Sequence, residues 1–206
     1  MYLARTPQIV RALLPGFVWR MPGTEKVLYL TFDDGPIPEV TPWVLDTLAF
    51  HDARATFFCI GRNVEANGPI VERIINEGHT LGNHTWDHER GRATSTFSYL
   101  KSTLRCQALF TSSLFRPPYG SVTVAQYRAL RKRYRIVLWD VLSGDFDTTL
   151  DGVACAQNVI QGARPGSIVV FHDSLKAEGR LRYALPRTLE HFGRLGYRFK
   201  ALPNKP

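Results

Sequence analysis

The chain has 206 residues, of which 44% are hydrophobic and 12% aromatic, and its formal net charge at pH 7 is +8. This length and apolar content are enough for one well-packed domain. We therefore expect a single domain over residues 1–206, with a motif-bearing core from about 27 to 200 and an N-terminal extension over 1–26. The sequence has no low-complexity tract, repeat or membrane span, which excludes fibrous, solenoid and membrane-spanning proteins.

The positive charge would suit an anionic partner. However, the densest basic stretch, 128–135, lies where a helix is predicted to end, and there it complements the helix dipole. We expect no nucleic-acid partner and assume a monomer. The apolar stretch 9–19 is interrupted by Arg11 and Pro15 and no cleavage site follows it, so the sequence favours a cytoplasmic location and leaves export as the alternative.

Short β-branched or aromatic runs alternate with longer helical periods, which is typical of βα units and a parallel sheet. The predicted strands, in chain order, are 27–32, 55–60, 79–83, 113–116, 135–140, 167–172 and 196–199. The predicted helices begin at Thr41-Pro42 and at Pro69 and then cover 97–111, 122–133, 152–162 and 182–194.

Polar groups that can take part in catalysis follow the strands at their carboxyl ends. They are Asp33 and Asp34 after the first strand, His84 after the third, Arg116 after the fourth, Asp140 and Asp145 after the fifth, and His172 at the end of the sixth. In a flat sheet the outermost of these would be roughly 24 Å apart, because strands lie ~4.8 Å apart. We therefore predict an α/β fold, a distorted (β/α) barrel of about seven parallel strands, rather than a doubly wound sheet.

Two adjacent carboxylates, Asp33 and Asp34, end the apolar run 27–32 and are followed by Gly35-Pro36. Asp, Gly and Pro also favour turns, so a plain turn is the alternative interpretation. Carboxylates at the rim of a buried sheet cost free energy unless they are paired or bind metal. Neighbouring side chains of an extended segment point to opposite sides, so one aspartate is expected to bind a cation and the other to remain free as a base.

His84 and His88 are four residues apart, which allows both imidazoles to face one ion from a helical turn or a tight loop. Together with one carboxylate they would leave coordination positions open, as catalytic metal sites do. Arg116 begins a stiff turn with two prolines, in which the amide of Tyr119 can point into a site. His172 ends a buried strand and could donate a proton.

Together, these motifs resemble the polysaccharide deacetylases of the NodB-homology family, also called carbohydrate esterase family 4. The family's Thr-Phe-Asp-Asp-Gly motif stands at 31–35, its His-Ser/Thr-x-x-His motif at 84–88 and its Arg-x-Pro-Tyr motif at 116–119. The resemblance covers roughly residues 27 to 200. Where the family usually has Asp-Trp, this chain has Asp145 and Phe146, which keeps an aromatic wall but loses an indole N–H donor.

The resemblance implies a role for each matching residue. Asp33 would be the base, Arg116 would steady it, Tyr119 would contribute its amide to the oxyanion hole, His172 would be the general acid and Asp145 would tune that acid. Asp34, His84 and His88 would bind one divalent metal, zinc in the first place, with cobalt, nickel or manganese as alternatives. We also expect Phe146, Val170, Pro118 and Trp86 to contact the substrate.

The expected activity is metal-dependent removal of N-acetyl groups from an amino-sugar polymer or oligomer, such as a chitooligosaccharide or peptidoglycan-type N-acetylglucosamine. O-deacetylation of xylan or another acetylated glycan is a close alternative. A non-haem iron oxygenase would also use two histidines and a carboxylate. An inactive glycan-binding protein on the same scaffold is the remaining alternative.

Overall fold

The computed structural model describes residues 3–204, so the outermost residues of the predicted domain lie outside this range. Seven strands form one curled parallel sheet in the order β5-β4-β3-β2-β1-β7-β6, and β8 pairs with the start of β1. The strands are β1 (Val27–Asp33), β2 (Thr56–Cys59), β3 (Thr80–Asn83), β4 (Leu114–Phe115), β5 (Arg135–Ile136), β6 (Val141–Leu142), β7 (Ile168–His172) and β8 (Arg198–Phe199). The prediction of a distorted (β/α) barrel is confirmed.

The barrel is closed by the stretch 135–142, which the sequence predicted as one strand over 135–140. The amide of Val137 donates to Phe115 of β4, whereas the amide of Asp140 donates to Ile168 of β7. The chain therefore passes from one edge of the sheet to the other within three residues. Because its hydrogen-bond partner changes on the way, this stretch forms two short strands instead of one.

The N-terminal segment covers both edges at this gap. Val18 accepts a hydrogen bond from Leu138 beside β5, and Thr6 donates to Asp140 beside β6. Arg5 also forms an antiparallel bridge with Val141. Unpaired strand edges are open to wrong pairing, and the predicted N-terminal extension satisfies them here.

The helices lie along the outside of the sheet. They are α1 (Gln8–Leu13), α2 (Thr41–Phe50), α3 (Gly61–Ala66), α4 (Gly68–Asn76), α5 (Thr96–Gln107), α6 (Val124–Leu130), α7 (Gly152–Gly162) and α8 (Glu178–Arg194). The sequence analysis did not predict α1 and α3, which have six residues each and are too short for a clear apolar period. Among the described residues, no helix is both long and apolar enough to cross a membrane.

Alternation along the strands separates two layers of side chains. In β1, Leu28, Leu30 and Phe32 join the main apolar cluster between sheet and helices. The intervening Thr31 and Asp33 therefore face the barrel interior. In β7, Val169 and Phe171 pack outward in the same way, which turns Val170 and His172 inward. Asp33 and His172 are direct neighbours in the β1–β7 register.

Candidate active site

The first element of the site is a buried ion pair between Asp33 and Arg116. Nη1 of Arg116 lies 2.6 Å from Oδ1 of Asp33 and 2.8 Å from Oγ1 of Thr31, and Nη2 donates to the Leu138 carbonyl at 3.1 Å. In a flat sheet the ends of β4 and β1 would be about 14 Å apart, three strand spacings. The short contact thus depends on the curl of the sheet, and Arg116 ties β1 to the closing stretch 135–142.

The surroundings of Asp33 favour its ionised form. Burial alone would raise its pKa, but the charge of Arg116, then those of His84 and His172, and the hydrogen bond from Arg116 together hold the pKa below its ordinary value. The Arg116 side chain is fully buried, and its guanidinium also lies 4.1 Å over the Phe58 ring. The carboxylate is therefore charged and fixed in orientation at neutral pH.

The second element is a cluster of Asp34, His84 and His88. Oδ1 of Asp34 lies 3.2 Å from Nε2 of His88 and 3.8 Å from Nε2 of His84, and one ligand atom from each residue falls within 4.8 Å of the others. Nδ1 of His84 lies 2.7 Å from the Arg116 carbonyl. A carbonyl oxygen can only accept a hydrogen bond, so Nδ1 of a neutral His84 carries the proton and donates it to Arg116. Nε2 then keeps a free lone pair on the side of Asp34 and His88.

Several features of this cluster fit a divalent cation. Burial lowers the pKa of His84 to about 4 and also lowers the pKa of His88, so both imidazoles are neutral and can act as ligands. Within the described residues, the buried Oδ1 of Asp34 has no hydrogen-bond partner. An unpartnered buried carboxylate oxygen between two neutral imidazoles is costly without a cation, and this donor set is one that zinc prefers.

The backbone around the cluster is strained. Asp34, Thr85, His88 and Tyr119 have φ values of 84°, 66°, 60° and 58°, in the left-handed region that residues with a Cβ rarely adopt. Such conformations cost about 1–3 kcal/mol each and collect where surrounding structure enforces a functional geometry. Here they reverse the chain just after β1 and within the 84–88 loop.

The third element is a pair formed by His172 and Asp145. Oδ1 of Asp145 lies 2.7 Å from Nδ1 of His172, and Oδ2 accepts from the His172 backbone amide at 2.8 Å. Burial would lower the pKa of His172, but the charge and hydrogen bond of Asp145, followed by the charges of Asp34 and Asp33, raise it to about 9. His172 is thus protonated at neutral pH, with Nδ1–H donating to Asp145.

Phe146 and the 116–120 turn form the rim. The rings of Phe146 and His172 meet edge to face with centroids 5.1 Å apart. Tyr119 is more than half exposed; its ring lies 4.7 Å from the His88 ring and carries the Arg90 guanidinium at 4.1 Å. Arg90 was not anticipated by the sequence analysis, because nothing in the local pattern marks it.

The structure brings together nine of the twelve predicted site residues through contacts among Asp33, Asp34, His84, His88, Arg116, Tyr119, Asp145, Phe146 and His172. Phe146 packs on His172. Val170 is buried and faces the barrel interior, and Pro118 is buried in the turn that carries Tyr119. Trp86 is different. Its side chain is buried against Gly61, and the Arg105 guanidinium lies 3.4 Å above its ring. These contacts give Trp86 a packing role, and its contact with the substrate stays a prediction.

Two asparagines that the sequence analysis missed hold the backbone of the cation cluster. Asn63 donates to the carbonyl of Asp34 at 2.7 Å, and Oδ1 of Asn83 accepts from the amide of Thr85 at 2.9 Å. Both contacts stabilise residues with positive φ. Asn83 directly precedes His84, and this adjacency is the only sequence signal for its role.

Two ionisable residues, Asp173 and Arg180, support the rest of the site, and burial raises the pKa of Asp173 to about 8. Oδ1 of Asp173 accepts from the amide of Gly35 at 3.1 Å, and Oδ2 accepts from Thr41 at 2.6 Å. A Cβ at position 35 would clash with this carboxylate, which explains the glycine after Asp34. Arg180 donates to the carbonyl of Asp145 at 2.6 Å. Asp173 could have been noticed because it follows His172.

These groups provide a charged carboxylate, a protonated histidine and a cluster of two imidazoles and a carboxylate that fits a cation. All lie at the carboxyl ends of parallel strands, an arrangement suited to hydrolytic acid–base chemistry. The family model described as polysaccharide deacetylase matches residues 20–135, more than half of the chain. The chain belongs to the polysaccharide deacetylase family, as the motifs indicated, and is accordingly an enzyme of the class that acts on acetylated sugars.

Known proteins similar to this chain cover most of its length. A peptidoglycan-N-acetylglucosamine deacetylase of Bacillus cereus is 36% identical over 192 residues, which are 89% of this chain and 90% of that protein. A bifunctional xylanase/deacetylase of Pseudobutyrivibrio xylanivorans is 31% identical over 186 residues, 85% of this chain and 29% of that protein. The crystal structure of the Bc1960 peptidoglycan N-acetylglucosamine deacetylase superposes with a TM-score of 0.87 at 30% identity, covering 96% of this chain and 95% of that one.

Proposed function

We propose that this protein hydrolyses the N-acetyl group of an amino-sugar residue in a glycan of the peptidoglycan or chitooligosaccharide type, releasing acetate and a free amine. The observation that carries the proposal is the arrangement of Asp34, His84 and His88 beside the Asp33–Arg116 pair. The B. cereus relative and the Bc1960 structure, both named as peptidoglycan-N-acetylglucosamine deacetylases, support this choice of substrate.

Asp34, His84 and His88 would hold one divalent ion, and zinc is the first candidate for two imidazoles and a carboxylate. When bound, such an ion supplies a Lewis acid for the acetyl carbonyl and makes a water molecule more acidic. Cobalt, nickel and manganese are the alternatives to test.

Asp33 would accept the proton of the attacking water, because it is ionised and Arg116 fixes its orientation. As the water oxygen bonds to the acetyl carbon, negative charge grows on the carbonyl oxygen, where the Tyr119 amide would donate a hydrogen bond. His172 would then protonate the amine nitrogen as its bond to carbon breaks. Asp145 keeps His172 protonated and aims its Nε2 away from the barrel wall.

The test is acetate release by the purified protein from chitooligosaccharides and from peptidoglycan fragments, with the metal content measured in parallel. We expect activity to disappear after chelation and to return on adding zinc, cobalt, nickel or manganese. Activity that persists after complete metal removal would contradict the metal dependence. Failure to release acetate from either glycan under all metals would contradict the proposed function.

O-deacetylation is the second candidate. One observation favours it, the similarity to a bifunctional xylanase/deacetylase. Acetylated xylan and chitooligosaccharides assayed side by side at equal acetyl concentration separate the two. Faster release from xylan would replace the N-acetyl proposal.

The oxygenase and the inactive binding protein receive less support. An oxygenase would give no task to Asp33 or to the His172–Asp145 pair, although both are built into the same site. A binding protein would have no need of a base, an acid and a cation cluster together. The predicted cytoplasmic location and monomeric state stay predictions, and cell fractionation and sedimentation would test them.

A further inference from the structure

A second charged region lies at the opposite end of the barrel, where the strands begin. A cavity of about 610 Å³ is formed there between the N-terminal segment and the residues around β5 and β7. Four arginines line it: Arg11, Arg20, Arg135 and Arg164. No motif of the deacetylase family falls on these residues, and the site described above does not include them.

Positive charge in this cavity exceeds the negative charge that accompanies it. Asp140 is the carboxylate that its arginines contact: Nη1 of Arg11 lies 2.9 Å from its Oδ1, and Nε of Arg164 lies 3.7 Å from its Oδ2. Both oxygens of Asp140 are already engaged, because Ser167 also donates to Oδ2 at 2.7 Å. Over residues 3–204, four guanidinium groups against one carboxylate leave an excess of three positive charges in this cavity.

Two of the arginines keep donors that nothing satisfies. Within the described residues, the buried Nε atoms of Arg20 and Arg164 have no hydrogen-bond partner. Burial lowers the pKa of Arg20, and the charge of Arg164 lowers it further against the opposing effect of Asp140. Buried donors on mutually repelling cations cost free energy unless an anion accepts from them.

A purely structural role does not account for all of these groups. Arg20 donates to the Pro165 carbonyl through Nη2, and Arg135 donates to the Pro203 carbonyl through Nη1 and to Sδ of Met21 through Nη2. A guanidinium has five N–H donors, and these contacts use only one or two of them. The cluster of four cations with open donors therefore calls for a second explanation.

We propose that this cavity binds a phosphate group. Arginine forks match the oxygens of phosphate in bidentate fashion and remain charged when partly buried, and several guanidinium groups can share one dianion. The cavity is larger than inorganic phosphate, so the group would be carried on a larger molecule. The proposal does not depend on the deacetylase activity, since the catalytic groups lie at the other end of the strands.

The surface beside the cavity suggests one source of the phosphate. Helix α1 contributes Gln8 and Arg11 to the cavity lining. It buries none of its residues, and on another face its Ile9 and Leu13 are 69% and 72% exposed. Exposed apolar side chains on a helix that borders a basic pocket suit a phospholipid surface. A soluble phosphate compound is the other source, and the experiment includes an arm for each.

The experiment measures binding by the full-length protein of inorganic phosphate and pyrophosphate, by calorimetry at low ionic strength, and of vesicles, by sedimentation. We expect saturable binding that Arg164→Gln weakens roughly tenfold to a hundredfold, as loss of a charge-assisted hydrogen bond would. Arg20→Gln with Arg164→Gln should abolish it. Vesicles of phosphatidylglycerol but not of phosphatidylcholine should bind if lipid is the source.

The control is the pair Arg128→Gln and Arg133→Gln, which removes the same charge from exposed positions and should leave binding unchanged. Thermal unfolding checks that each variant is folded, and Arg164→Gln alone decides the question if the double variant is not. Absence of saturable binding to every probe, or equal loss in the control pair, would overturn the proposal. Binding of soluble phosphates without vesicle binding assigns the site to a soluble ligand.

Discussion

The protein pairs a buried aspartate with an arginine at each end of the barrel. Asp33 and Arg116 lie 2.6 Å apart at the carboxyl ends of the strands, and Asp140 and Arg11 lie 2.9 Å apart near their beginnings. Both carboxylates are almost completely buried. The two ion pairs are alike in length, and they differ in the other groups that surround each carboxylate.

Asp140 uses both carboxylate oxygens, toward Arg11 on one side and toward Ser167 and Arg164 on the other. Asp33 is held by Arg116 through Oδ1, and its neighbours are histidines. A carboxylate that accepts hydrogen bonds through both oxygens stabilises the fold. One held through a single oxygen beside a cation site can still accept a proton. The same pair therefore serves stability at one end and, by our proposal, chemistry at the other.

The largest effect should come from Asp33→Asn. If Asp33 is the base, its loss should lower kcat for acetate release about 10²- to 10⁴-fold, while the metal content stays unchanged because Asp34, His84 and His88 remain. Asp140→Asn is the matched control and should retain activity in the folded fraction. Equal losses of kcat in both variants would erase the distinction between the two pairs.

Arg116→Gln should have the largest effect on stability. It leaves Asp33 buried without its cation, and breaking a buried pair in this way costs about 3–5 kcal/mol. Urea unfolding measures the change in free energy. The double variant Asp33→Asn with Arg116→Gln should recover part of the loss, since no uncompensated charge remains. A double variant that is no more stable than Arg116→Gln would show that the arginine acts through its carbonyl contacts instead.

The third prediction concerns the proposed acid. His172 is protonated below its pKa of about 9, so kcat should fall as the pH rises through that value. Asp145→Asn removes the negative charge that raises the pKa of His172, whereas burial still lowers this pKa. The alkaline limb of the pH profile of kcat should therefore move down toward the ordinary histidine pKa of 6.5. The exposed Asp52→Asn is the control. An unmoved limb would assign it to another group.

The sequence was sufficient to predict which main residues meet at the carboxyl ends of the strands, because its signals there are local. The strand 27–32 ends in adjacent aspartates, and His84 and His88 are four residues apart, so periodicity and spacing reveal them. The supporting contacts are not local: Asp173 reaches Thr41 across 132 residues. Whether Asp173 or Asn63 would meet the turn after β1 depends on the packing of the barrel, which no local pattern encodes.

The change of strand partner in the closing stretch and the contacts of the N-terminal extension were missed for the same reason. Residues 135–140 have the composition of one strand, and the sequence cannot show that the partner changes from β4 to β7 at the barrel's gap. Thr6 and Arg11 meet Asp140 across more than 120 residues. The extension was therefore predicted as an appendage, although it occupies both edges of the sheet.

The smallest expected effect tests the attachment of the N-terminal extension to the edge of the sheet. Arg11 is partly exposed, and Asp140 keeps Ser167 and Arg164 when Arg11 is replaced, so Arg11→Gln should cost only about 1 kcal/mol of unfolding free energy. Hydrogen exchange should locate the change in the amides of Thr6 and Leu142, which donate across this edge to the carbonyls of Asp140 and Ala4. A loss of unfolding free energy as large as that of Arg116→Gln would mean that the barrel depends on the attachment of the N-terminal extension as much as on the Asp33–Arg116 pair.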